Sequence, residues 1–191
     1  LKKRKWIILL FIFIIMIYIF HPIIVEMLFP IKFQKHIMEY SKEYQVDPYL
    51  IASIIKVESN YNPYAQSSKD ARGLMQVLPS TGKWAAEELG FKNFYPEKLY
   101  DPETNIQIGI WYIKKLNQQF DRNLHLVLAA YNAGSGNICK WLEDKRYSND
   151  GENLEYIPFE ETRNYIKKVL FYYNLYQRIY NLDEFKEENY E

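Results

Sequence analysis

Glu58 falls four positions after Ile54 and three after Ile55. On a helix it therefore points along the face that those apolar residues bury. Asn60 and the Asn62-Pro63 pair predict a helix end just beyond it, so Glu58 sits in a last turn, where the helix dipole disfavours negative charge. Burial and dipole both raise a carboxyl pKa, and a raised carboxylic acid is what general acid catalysis near neutral pH requires. For an isolated acid the plainer reading is a buried Glu paired with a cation or capping a turn. Its company decides between the two.

Three segments supply that company. Residues 58–79 read ESNYNPYAQSSKDARGLMQVLP, residues 129–134 read AAYNAG, and residues 157–170 read IPFEETRNYIKKVL. Their polar residues include Ser67, Gln76, Tyr131, Asn132, Glu161 and Tyr165. Several of these have a plain local use. Ser67 in its SSKD context is a turn residue. Gln76, Tyr131 and Asn132 could satisfy one another's polar groups, and Gly73 could permit a close backbone approach. Tyr165 fits equally well in a core. His21, His36 and His125 lack metal-ligand spacing, and Cys139 is the only cysteine, so neither a cysteine zinc site nor an intramolecular disulfide can form. No metal and no cofactor is expected.

The elements that must hold these groups are helical, with no sustained period-two run from Ile31 onward. Asp47-Pro48 predicts an N-cap and first helical residue for the helix that ends near Asn60, and Asp101-Pro102 repeats that signal before Ile106, Ile110, Ile113 and Leu116. Shorter helices are expected at 80–89, closed by Gly90, and at 123–132, closed by Gly134. A final helix is expected at 159–180, and 144–156 reads as an exposed polar loop. The fold class is all-α.

The chain has 191 residues, enough for one ordinary domain with a short appendage. Its 24 Lys and Arg balance 24 Asp and Glu, but four of the basic residues lie within the first five, leaving 20 against 24 in residues 6–191. That excludes the basic surplus a nucleic-acid binder needs. After KKRK come fifteen apolar residues, Trp6 to Phe20, and the run resumes to Val25 after His21-Pro22. This is long enough to cross a bilayer at about 1.5 Å per residue, and HPIIVEMLFP offers no small-residue cleavage site. Residues 1–30 are therefore expected to form an uncleaved, single-pass transmembrane helix with its N-terminus in the cytoplasm, placing the rest at the outer side of the cell membrane. Residues 31–182 form the expected domain and 183–191 an acidic tail.

Taken in order, the motifs between about Tyr40 and Tyr173 resemble the lytic transglycosylase family of the lysozyme superfamily, enzymes that cleave the glycan strand of bacterial peptidoglycan. The resemblance implies a lysozyme-like helical domain, peptidoglycan glycan strands as partner, Glu58 as catalytic acid/base, and a Gly73–Gln76 turn beneath the sugar groove. It implies substrate contacts from Ser67, Gln76, Tyr131, Asn132, Glu161 and Tyr165, and mostly structural roles for Asn105 and Gly109. Two positions depart from the common pattern: Asp70, where Gly is frequent, and Leu78, where Met is frequent. The activity implied is cleavage of the β-1,4 bond between N-acetylmuramic acid and N-acetylglucosamine with formation of a 1,6-anhydro end. A hydrolase of the same fold, resembling goose-type lysozyme with Asp70 positioning water, and a non-catalytic glycan-binding protein are the alternatives.

Overall fold

The computed structural model describes residues 27–180 together with 4–6, 11–13, 15 and 16. Most of the expected anchor and all of the expected acidic tail lie outside the described residues. Among the described residues no helix is long and apolar enough to cross a membrane.

The chain runs through α1 (Gln34–Tyr44), α2 (Pro48–Ser59), α3 (Pro79–Leu89), a 3-10 turn (Pro96–Tyr100), α4 (Pro102–Gln119), α5 (Leu124–Ala133), α6 (Ser135–Glu143) and α7 (Glu160–Ile179). β-pairing among the described residues is confined to two isolated bridges, Gln66 with Arg72 and Arg72 with Val77. The domain is all-α, as the periodicity predicts. Two helices not delimited from sequence are α1 and α6. Gly134 does stop α5, but at φ 87° it turns the chain so that α6 starts at the next residue, burying Ile138 and Trp141 at helical spacing. The 144–156 segment is irregular as expected, yet it is not wholly exposed: Ser148 is buried and Asn153 accepts a hydrogen bond from Asn123 at 3.1 Å.

α2 is the central helix. Leu50, Ile51, Ala52, Ile54 and Ile55 are all buried, so it is apolar on nearly every side and must be surrounded. Asp47 starts it by accepting the Tyr49 N–H at 2.8 Å, while its other carboxylate oxygen accepts the Tyr173 hydroxyl at 2.7 Å. The Tyr49 hydroxyl donates to the Tyr180 carbonyl at 2.6 Å. These contacts tie the start of α2 to the end of α7, so the two helices lie antiparallel and the end of α2 meets the beginning of α7. At that end Asn60 and Tyr61 both adopt left-handed backbone, φ 50° and 62°. The strain at Tyr61 is offset by burial of its ring and by its hydroxyl, which donates to the Ala52 carbonyl at 3.1 Å.

The reversed chain then forms the Gly73–Gln76 turn, closed by reciprocal Arg72 and Val77 backbone hydrogen bonds of 3.0 Å. Asn105 of α4 clamps this turn. Its buried amide accepts the Met75 N–H at 2.7 Å and donates to the carbonyls of Arg72 at 2.8 Å and Leu99 at 2.7 Å. Gly73 is required there: a Cβ would lie 2.1 Å from the Leu99 carbonyl oxygen, and its φ is +75°. Gly109, one turn along α4, leaves the space that the Met75 sulfur fills.

Replacing Asn105 with Ala takes this partner from the Met75 N–H and the Leu99 carbonyl in a packed interior, while the Arg72 carbonyl keeps only the Val77 N–H. A loss of about 3–5 kcal/mol is expected in urea unfolding, and a loss below about 1 kcal/mol would show that the clamp is dispensable.

Candidate active site

Glu58 ends α2 half-buried, at the place where α7 and α5 converge on it. Loss of water around the carboxyl pushes its pKa up to about 7; the Tyr165 phenol works against that rise and the charge of Glu161 adds to it. Both come from the first turns of α7, where Glu161 is exposed and Tyr165 buried. The Tyr165 hydroxyl faces Glu58 without closing a hydrogen bond of ordinary geometry, and it has no other partner among the described residues. Its own pKa is raised, first by burial and then by Glu58 and Tyr131.

Tyr131 approaches from α5. Its hydroxyl donates to the Met75 carbonyl at 2.7 Å, so the clamped turn fixes the phenol in turn. Burial, then the charge of Glu58, pushes this phenol well above its usual range. Glu58, Tyr131, Glu161 and Tyr165 are thus brought together from three helices distant in sequence.

A cleft of about 230 Å³ opens beside them, lined among others by Lys69, Gln76, Leu78, Tyr112, Tyr131 and Asn132. Gln76, Tyr131 and Asn132 do not satisfy one another. The Gln76 amide donates to the carbonyls of Ala65 at 3.1 Å and Gly73 at 3.0 Å, and the Asn132 carbonyl oxygen accepts the Thr162 hydroxyl at 2.7 Å. Ser67 stays within its own turn, accepting the N–H groups of Lys69 at 3.3 Å and Ala71 at 3.0 Å. Among the described residues no group of His, Cys, Asp and Glu side chains is gathered to hold a metal ion.

The Transglycosylase SLT domain family matches residues 35–154, from α1 through the irregular segment after α6. The chain belongs to this family. It is 36% identical over 146 residues to the soluble lytic murein transglycosylase of Escherichia coli strain K12, covering 75% of this chain and 23% of that protein. It is 39% identical over 114 residues to the membrane-bound lytic murein transglycosylase E of Buchnera aphidicola, covering 56% of this chain and 52% of that one. The crystal structure of the 70 kDa soluble lytic transglycosylase of Escherichia coli superposes with a TM-score of 0.71 at 32% identity, over 81% of this chain and 25% of that chain. The chain therefore spans about a quarter of the length of the soluble relatives it matches.

Asp70 and Leu78, the two positions noted above against the resembled pattern, have distinct local settings. Asp70 sits at φ 64°, a left-handed conformation that Gly adopts without cost and Asp tolerates. Its carboxylate accepts the Arg72 guanidinium at 2.9 and 3.1 Å and the Gln66 amide at 2.6 Å, which hold its pKa below the usual range. Leu78 is exposed on the cleft wall, where a change of side chain alters the shape of the cleft.

Sequence reasoning missed Tyr112, Thr162 and Trp84. The Tyr112 ring lies 5.7 Å from that of Tyr131 and 6.3 Å from that of Trp84, which continues an aromatic line outward from the cleft. Tyr112 follows Trp111 on α4, and nothing in its spacing separates a cleft residue from a core one. Thr162 holds Asn132, and only its place beside Glu161 in the EETRNY motif was available as a signal.

The raised Glu58 pKa has a consequence for stability. The folded protein keeps this proton up to about pH 7, whereas the unfolded chain releases it near the ordinary value of 4.5. Folding therefore loses stability as pH rises between those values. Glu58→Gln carries no charge to desolvate, so it should be more stable than the parent at pH 8 by on the order of 1–3 kcal/mol, with little difference at pH 4. Urea unfolding at the two pH values checks this, and a pH-independent difference would contradict it.

Proposed function

We propose that the chain is a membrane-anchored peptidoglycan lytic transglycosylase that cleaves the β-1,4 bond between N-acetylmuramic acid and N-acetylglucosamine. The observation that carries this reading is Glu58: a carboxyl kept protonated towards neutral pH by burial, beside a cleft walled by Tyr131, Gln76 and Asn132. Membership of the SLT family supports the substrate class. The apolar run from Trp6 to Val25, behind four basic residues, supports the anchor, with the domain outside the membrane.

In this mechanism Glu58 gives its proton to the bridging oxygen, the C1–O bond of the muramic acid breaks, and N-acetylglucosamine leaves with its 4-hydroxyl restored. The neighbouring acetamido oxygen supports the charge developing at C1. The 6-hydroxyl of the same sugar then bonds to C1 and returns its proton to Glu58, so the acid is regenerated and no water is consumed. Tethering that hydroxyl replaces a bimolecular step with an intramolecular one. Tyr131, whose hydroxyl donates its hydrogen bond to the Met75 carbonyl, would present its oxygen to a sugar hydroxyl. Gln76 and Asn132 would contact the strand along the cleft, while Glu161 and Tyr165 set the proton affinity of Glu58.

The hydrolytic alternative needs a second carboxylate to activate water. Asp70, held ionised by Arg72 and Gln66, is a weak base and favours the lyase reading over that alternative. Digestion of purified peptidoglycan should yield muropeptides one water lighter than hydrolytic products and resistant to borohydride. Glu58→Gln should lower turnover by about 10²–10⁴-fold or more with the fold retained. Predominantly reducible ends would return the reaction to the hydrolase.

The neighbours of Glu58 give a second check. Activity should fall as pH rises through about 7, where Glu58 loses its proton. Glu161→Gln removes a charge that raises the Glu58 pKa, so it should move this alkaline limb down; Tyr165→Phe removes a group that lowers it and should move the limb up, each by about 0.3–1 unit. The pH profile of kcat/KM reads both. Shifts in the same direction would mean that Glu58 is not the titrating acid.

A further inference from the structure

On the flank of the α2–α7 pair away from the cleft, a second depression of about 430 Å³ is lined by Lys56, Val57, Lys167, Lys168, Phe171 and Tyr172. None of its three lysines is ion-paired with a carboxylate among the described residues. Lys56 is held in place by the Asn60 side chain at 2.6 Å and lies 5.7 Å from the Tyr172 ring centroid. Phe171 is 60% exposed between these cations. Unpaired lysines around an exposed aromatic ring suit a surface that is anionic outside and apolar beneath.

The path of the chain leads to the same place. The Phe29 ring meets the Tyr172 ring at 6.5 Å, and the Tyr180 hydroxyl donates to the Phe29 carbonyl at 3.0 Å and accepts the Ile31 N–H at 3.3 Å. Residues 29–31 are therefore docked at the edge of the basic depression. Met27 and Leu28 precede them, 75% and 59% exposed, and the apolar run ends at Val25, two positions before Met27.

We propose that this flank docks on the membrane surface, with Lys56, Lys167 and Lys168 on the phosphates of anionic phospholipids and Phe171, Met27 and Leu28 in the headgroup boundary. The proposal rests on the anchor reading above, because the tether supplies the high local concentration that lets a small patch bind. Peptide-stem carboxylates would also suit the lysines, but they give no role to the exposed apolar side chains that join the depression to the apolar run. Phe171 lies six residues beyond Tyr165 on α7, about 9 Å along the helix axis at ~1.5 Å per residue. Docking would hold the cleft close to the membrane and direct it to glycan strands there.

The test uses the full chain with Cys139→Ser and Phe171→Cys, labelled with an environment-sensitive fluorophore, on phosphatidylcholine vesicles with and without phosphatidylglycerol. A matched label at Lys83→Cys on exposed α3 is the control. The label at 171 should shift to the blue and resist aqueous quenching only with phosphatidylglycerol. High salt should reverse the shift, and Lys167→Glu with Lys168→Glu should weaken it by roughly tenfold or more. A label that stays aqueous while the chain is vesicle-bound overturns the docking face. So does one that shifts equally on neutral vesicles, or only when soluble muropeptides are added, which would assign the depression to the peptide stem. Flotation with neutral vesicles reports on the anchor separately: its loss overturns the anchor, while the salt-sensitive shift on anionic vesicles still decides the face.

Discussion

The buried amide of Asn105 carries three hydrogen bonds to the backbone of two other segments, and the geometry of the site follows from them. It holds the Gly73–Gln76 turn against α4, where Gly73 has no room for a Cβ beside the Leu99 carbonyl and Gly109 leaves the space that the Met75 side chain fills. The turn then presents the Met75 carbonyl to Tyr131, and Tyr131 stands beside Glu58. The floor of the cleft is thus fixed by backbone groups of two segments that meet on one buried amide. Such a network is rigid because breaking any member leaves a buried polar group unsatisfied.

Against that floor the fold places an acid where it is least comfortable. α2 is buried for most of its length, and its penultimate residue is a carboxyl facing a second carboxyl on α7. The arrangement persists because the α2–α7 contacts at the opposite end, through Asp47, Tyr49, Tyr173 and Tyr180, do not depend on Glu58. Stability is supplied at one end of the helix pair, and a carboxyl of raised pKa is held at the other. This separation is what lets a strained proton affinity coexist with a well-packed core.

The same helix pair, on the proposed reading, orients the molecule at the membrane. One flank carries Glu58 and Tyr165 next to Tyr131 of the cleft wall, and another carries lysines without a carboxylate partner beside the point where residues 29–31 join the domain. On the proposed reading, the tether and the flank together select which part of a glycan strand reaches Glu58.

The sequence by itself determined the all-α class, the starts of α2 and α4, and the closures at Gly90 and Gly134, because caps and apolar spacing act within a few residues of chain. It also singled out Glu58, since an acid in register with Ile54 and Ile55 conflicts with its own surroundings. The restart of the chain as α6 after Gly134 was not legible, because a positive φ permits either a loop or a new helix and packing of Trp141 decides. Nor could spacing tell that Ser67 serves its own turn, that Asp70 is occupied by Arg72, or that Tyr112 reaches the cleft. Those outcomes depend on which groups lie across the fold, and only the tertiary structure decided them: a hydrogen bond or a desolvated charge is set by neighbours far away in sequence, which local pattern does not encode.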